Sequence, residues 1–217
     1  MAETRPKVFG LGVMKTGTST LGSIFAQLGY KHRSYYPKLI RQLYRNEYDQ
    51  LWDVADRYET FEDYPWPLVF KELDERYPDA KFILTTRRDT DTWYRSLAEH
   101  AKRMGPTAER QIIYGKGMPQ WDPAGHRDHY ETHNAAVQAW FADRPGKLLE
   151  VCWETGSSWQ DVADFLGHSD VVQRETPRAN AAANQSIAPR FWLRNSVKYA
   201  LIGKLKIDPF RHRNFTA

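Results

Sequence analysis

The chain has 217 residues, 41% apolar and 14% aromatic, with Lys plus Arg outnumbering Asp plus Glu by 31 to 27. That length supports one packed domain, and the net charge of +4 is too small for a nucleic-acid coat while leaving room for a local basic site facing an anionic ligand. Cys152 is the sole cysteine, MAETRPKVFG has no apolar signal core, and no apolar run reaches about 18 residues, so the expectation is a cytoplasmic protein without an internal disulfide or membrane span.

KVFGLG reads as a short buried strand ended by glycines. In TSTLGSIFAQLG, Leu21, Ile24, Phe25 and Leu28 recur at helical spacing, and Gly29 stands where a C-terminal cap belongs. Residues 37–57 read as helical with a break near Asn46. PWPLVFKELDERYP reads as a helix begun by its prolines and ended before Pro78. KFILTT is the clearest strand, and DTDTWYRSLAEHAKRM is a helix with several capping candidates. Residues 104–125, rich in Gly and Pro without apolar periodicity, read as a long loop and a candidate lid over a cleft. Residues 126–143 read as a helix, KLLEVC as a third strand, and SWQDVADFLG as a helix capped by Gly167.

Residues 170–189 are polar and turn-rich. From Arg190 the chain is basic and partly amphipathic, with Arg194, Lys198, Lys204, Lys206, Arg211 and Arg213 among apolar residues. The division expected is a domain over 1–189 and a segment over 190–217. That segment packs on the domain, on a second subunit or on an anionic membrane surface.

Strands alternating with helices imply a three-layer α/β fold with a short central parallel sheet. Ligands of such sheets bind at the C-terminal strand ends, here after Leu11 and Thr86. In the first of these loops, FGLGVMKTGTSTLG, Gly12 and Gly17 allow close backbone approach, Lys15 brings charge, and Thr16, Thr18, Ser19 and Thr20 bring hydroxyls at a helix start. Such a helix start attracts phosphate. The nucleotide-hydrolase pattern G-x-x-x-x-G-K-[ST] is not met, since Lys15 comes one position early and glycine follows Lys-Thr. KFILTT runs into Arg87 and Arg88, which suit a second phosphate better than a metal ion.

GVMKTGTSTL resembles the 5′-phosphosulfate loop of the sulfotransferases that use 3′-phosphoadenosine 5′-phosphosulfate (PAPS). TTRRDTDTWYRSL is similar to their 3′-phosphate element, an arginine at a strand end and a serine eight residues on. The looser likeness spans roughly residues 7 to 185 and extends to a bacterial and eukaryotic subfamily. The resemblance implies a P-loop NTPase-like fold and metal-independent transfer of a sulfuryl group from PAPS to a hydroxyl, or less readily an amine, of a small-molecule, carbohydrate or lipid acceptor. It implies that Lys15 stabilises the leaving oxygen, that Thr16, Gly17, Thr18 and Ser19 hold the 5′-phosphate, and that Arg88 and Ser96 hold the 3′-phosphate, with Arg87 a rival to Arg88. The Arg-Lys-Gly element of the cytosolic members is absent; PRANAAANQS offers Arg178 and Asn180 instead.

The family's base precedes a Leu-Pro, and the matching EDYP makes Asp63 the candidate base, with Glu62 next; Asp63 also suits an N-cap of the helix begun near Pro65. His126, His129 and His133 have helical spacing but no completing ligand, so a metal site is not expected. His32 and His100 lack supporting context. Tyr35, Tyr36, Trp66, Tyr114 and Trp121 are candidate acceptor contacts or plain core. The rival readings are a P-loop kinase-like enzyme, which needs Mg²⁺ and Gly-Lys-[Ser/Thr], and a non-catalytic nucleotide-binding protein.

Overall fold

Val8, Phe9 and Gly10 are buried at the centre of the computed structural model, which describes residues 5–169, 175–177 and 189–203, and they form its middle strand (β1, Val8–Gly10). A strand covered on both faces is what a helix-flanked parallel sheet requires. β1 pairs in parallel with Thr60–Phe61 (β3) on one side and Lys81–Thr85 (β4) on the other. His32–Arg33 (β2) and Leu148–Val151 (β5) complete the parallel order β2-β3-β1-β4-β5. KLLEVC is therefore the fifth strand of the sheet rather than the third. β2 and β3 have two residues each, too few for any period to register.

Successive strand residues point to opposite faces. Phe9, Phe82 and Leu84 enter one core with Trp66, Trp93 and Phe141, while Val8 and Ile83 enter the other with Leu21, Phe25 and Trp159. The second core holds the helix Thr18–Gln27 (α1) and the helix Trp159–Phe165 (α8), the latter opened by a capping box between Ser158 and Asp161. The first core takes Pro37–Tyr44 (α2), Asp49–Arg57 (α3), Phe70–Arg76 (α4), Thr90–Met104 (α5) and Pro123–Phe141 (α7). The break at Asn46 is a left-handed residue, φ 61°, which asparagine tolerates.

The 104–125 stretch is not a loop throughout. Ala108–Tyr114 (α6) is a helix capped by Thr107 and stopped by Gly115 at φ 80°, and Pro119–Trp121 is a 3₁₀ turn. α6 buries Ala108, Arg110, Ile112, Ile113 and Tyr114. A helix covered nearly all round shows no amphipathic stripe, and its packing makes it a wall rather than a loose lid. The last helix, Pro189–Gly203 (α9), lies against α5 and α6. Asn195 Nδ2 donates to the Met104 carbonyl at 2.7 Å, and Tyr199 packs on Trp121. Leu193, Val197 and Leu201 stay exposed. No described helix is long and apolar enough to cross a membrane. Arg178, Asn180 and residues 204–217 lie outside the described residues.

Candidate active site

The C-terminal ends of β1 and β4 open into a cleft of about 670 Å³. Its floor begins with the loop after β1, whose carbonyls would repel a phosphate if they faced it. Those of Leu11, Val13, Met14, Lys15 and Gly17 are committed elsewhere. His133 Nε2 lies 2.7 Å from the Leu11 carbonyl, Thr16 Oγ1 donates to Val13 at 2.8 Å, Trp93 Nε1 to Met14 at 2.9 Å and Arg87 to Lys15 at 3.3 Å. The Gly17 carbonyl accepts from the amides of Thr20 and Leu21.

α1 starts at the cleft with Gly17 as N-cap and no capping side chain. Gly17, Thr18 and Ser19 line the wall there, so the positive end of the helix faces the cleft. Gly17 has φ 93°, and a Cβ on it would lie 2.4 Å from the Trp153 ring. No other residue type fits without movement.

Lys15 lies on the wall in a left-handed conformation, φ 75°. Burial, then Arg103 and Arg87, hold its pKa below the usual lysine value against the pull of Asp63. Thr16 departs from its expected role. It is fully buried, its amide bonds to Val13, and its hydroxyl lies 2.7 Å from Thr85 Oγ1. It braces the loop from behind, leaving no hydroxyl for a ligand.

Asp63 also faces the cleft. It has φ 63°, and its Oδ1 accepts the Tyr64 amide at 2.7 Å while Thr18 donates to Oδ2 at 3.5 Å. It does not cap the following 3₁₀ turn, Trp66–Val69, whose N-cap is Pro65 and which has no side-chain cap. Burial, reinforced by Glu62, raises its pKa to about 7 against the Tyr64 amide, Thr18 and Lys15. Glu62 itself is turned into the protein, hydrogen-bonded by Ser34 and 3.7 Å from His32.

At the end of β4 the two arginines diverge. Arg87 is on the cleft wall, paired with Glu154 at 2.7 and 3.0 Å. Arg88, the residue favoured from the sequence, points outward, half exposed, 3.3 Å from both Asp89 and Thr92. Asp89 caps α5, which fixes the carboxylate that holds Arg88 outside. Ser96 is on the wall as expected, and so are His100 and Met104. Sequence reading passed over His100, yet its spacing signals it, since residues 96, 100 and 104 share one helical face. Burial, then Lys15, Arg110 and Arg103, depress the His100 pKa to about 4.

Trp153, Arg110, Thr107, Ser34 and Tyr35 complete the wall. Trp66 is core, fully buried against Phe9 and Phe61. Tyr114 is buried, accepting from Tyr64 at 3.1 Å and packing on His126 and His129. The three histidines of α7 have separate partners. His126 meets the Asp122 carbonyl, His129 the Tyr64 hydroxyl and His133 the Leu11 carbonyl. Burial depresses all three pKa values, to about 3 for His129 and about 4 for His133. Among the described residues no His, Cys, Asp and Glu group is arranged to hold a metal ion.

A family model described as a sulfotransferase domain matches residues 7–121 and 110–185. The chain is 25% identical to "Ava biosynthesis cluster protein M" of Aspergillus versicolor, with 79% of each chain covered. It shares its fold with the crystal structure of a sulfotransferase from Alicyclobacillus acidocaldarius, with a TM-score of 0.53 at 16% identity over 93% of this chain and 97% of the other.

Proposed function

The chain belongs to the sulfotransferase domain family, and on that premise we propose that it moves a sulfuryl group from PAPS to a hydroxyl acceptor by in-line displacement. The observation that carries this reading is the convergence of an uncapped helix start, Lys15 and Asp63 on one cleft where the carbonyls of Leu11, Val13, Met14, Lys15 and Gly17 are held by other donors.

In this reading the 5′-phosphate rests on the α1 start at Gly17, Thr18 and Ser19. The 3′-phosphate lies between Arg87 and Ser96, and Trp153 offers a face to the base. The acceptor oxygen attacks sulfur opposite the bridging oxygen. The S–O bond to that oxygen breaks, its electron pair becomes the charge on the leaving phosphate, and Lys15 stabilises that charge. Asp63 takes the acceptor proton. A base with a pKa near the working pH serves better than His100, which is much less basic.

The test is thermal melting with 3′-phosphoadenosine 5′-phosphate (PAP), AMP, or ATP with Mg²⁺. PAP at about 100 times its Kd should stabilise by about 2.7 kcal/mol, while AMP, lacking the 3′-phosphate, should do far less. A larger shift with ATP and Mg²⁺ would favour a kinase-like enzyme. Consumption of PAPS with a hydroxyl acceptor separates an enzyme from a nucleotide-binding protein.

A further inference from the structure

Arg110 is the one arginine counted as buried among the described residues, only 3% exposed, and it stands on the cleft wall. Its guanidinium donates to the Gly105 carbonyl and to Met118 Sδ at 3.6 Å. No carboxylate pairs with it among the described residues. Six more exposed arginines, at 41, 76, 87, 88, 127 and 144, each have one. The neighbouring Glu109 is taken by Arg41 at 3.4 Å. A buried cation is ordinarily paired, because desolvation is otherwise uncompensated.

Arg110 belongs to α6, a different element from the phosphate loop, and shares the wall with Tyr35 and Thr107. The helix start at Gly17 and the Arg87 and Ser96 pair, which lie on other elements of the wall, are assigned to the donor. His100 adds a second polar group to the wall, its Nδ1 buried without a hydrogen-bond partner among the described residues. Asp63 is the one carboxylate on the cleft wall.

We propose that the acceptor is a hydroxy acid whose carboxylate is bound by Arg110 while its hydroxyl faces Asp63. This rests on the sulfotransferase reading. Arg110 thus selects the acceptor and takes no part in the transfer step.

The test is calorimetric titration of the protein saturated with PAP, using the hydroxybenzoates and a ladder of ω-hydroxyalkanoates, each against its own primary amide. At least one acid should bind about tenfold or more tightly than its amide, as expected of a charge-assisted contact. Arg110→Met should erase that difference while leaving the PAP melting shift unchanged, and Arg110→Lys should keep part of it. Amides binding as well as acids, no acid binding at all, or a preference that survives Arg110→Met would each overturn the inference. Should Arg110→Met not fold, the wild-type comparison and Arg110→Lys still decide it. Failure of PAP itself to bind would instead bring down the donor reading beneath it.

Discussion

Replacing Asp63 by Asn separates catalysis from stability. Asn keeps the shape, accepts the Tyr64 amide and tolerates the φ of 63°. It cannot take a proton. On the proposed mechanism kcat/KM should fall by roughly 10² to 10⁴, with PAP binding retained. In the wild type, kcat/KM should rise with pH through about 7 as the carboxyl ionises. Stability should move the other way. The folded pKa of about 7 lies above the ordinary 3.8, so the folded state binds more protons between these values and loses stability as pH rises across that window. The whole loss is on the order of 4 kcal/mol, from about 1.4 kcal/mol per pKa unit. Asp63→Asn should therefore be more stable than the wild type at pH 8 and nearly equal to it at pH 4. Acceptor turnover against pH and urea unfolding at the two pH values test both. Activity kept within about threefold would place the base elsewhere, with His100 next on the wall. No gain at pH 8 would refute the idea that burial holds this carboxyl up.

Lys15→Met should lower kcat by roughly 10² to 10³ while leaving most PAP binding intact, since the lysine acts on charge that develops as the bond breaks. Arg87→Ala should weaken PAP by about 1.5–3 kcal/mol and leave AMP nearly unchanged. Arg88→Ala should do little to PAP binding, because its side chain points out of the cleft toward Asp89; calorimetry showing the reverse order would mean that Arg88 swings inward on binding. Gly17→Ala should cost about 1–3 kcal/mol in denaturant unfolding and abolish the PAP shift, through its positive φ and the clash with Trp153.

The strand–loop–helix with Lys15 and the strand–helix with Ser96 were legible because each is local. A few apolar positions set the period, and glycines, prolines and hydroxyl residues mark the ends. α6 escaped because a helix buried almost all round leaves no polar stripe, although Thr107 and Gly115 framed it. The family's base position led to Asp63 from the motif alone. Its raised pKa is a property of enclosure and of Glu62, which no spacing reveals.

What the sequence determined by itself is the alternation of the longer strands and helices, the parallel α/β class and the two strand-end loops that line the cleft, all consequences of short-range pattern. The tertiary structure decided which way each side chain faces. Arg87 looks into the cleft and Arg88 out because adjacent residues at a strand end diverge and Asp89 holds one of them. Thr16 turns inward because Thr85, 69 positions away, meets its hydroxyl. His133 serves the loop because α7 crosses beneath the Leu11 carbonyl, 122 positions distant. Arg110 lines the cleft because α6 packs there, and no carboxylate pairs with it among the described residues. Such contacts join residues that are neighbours only after folding, so their chemistry lies in the packing and not in the run of the chain.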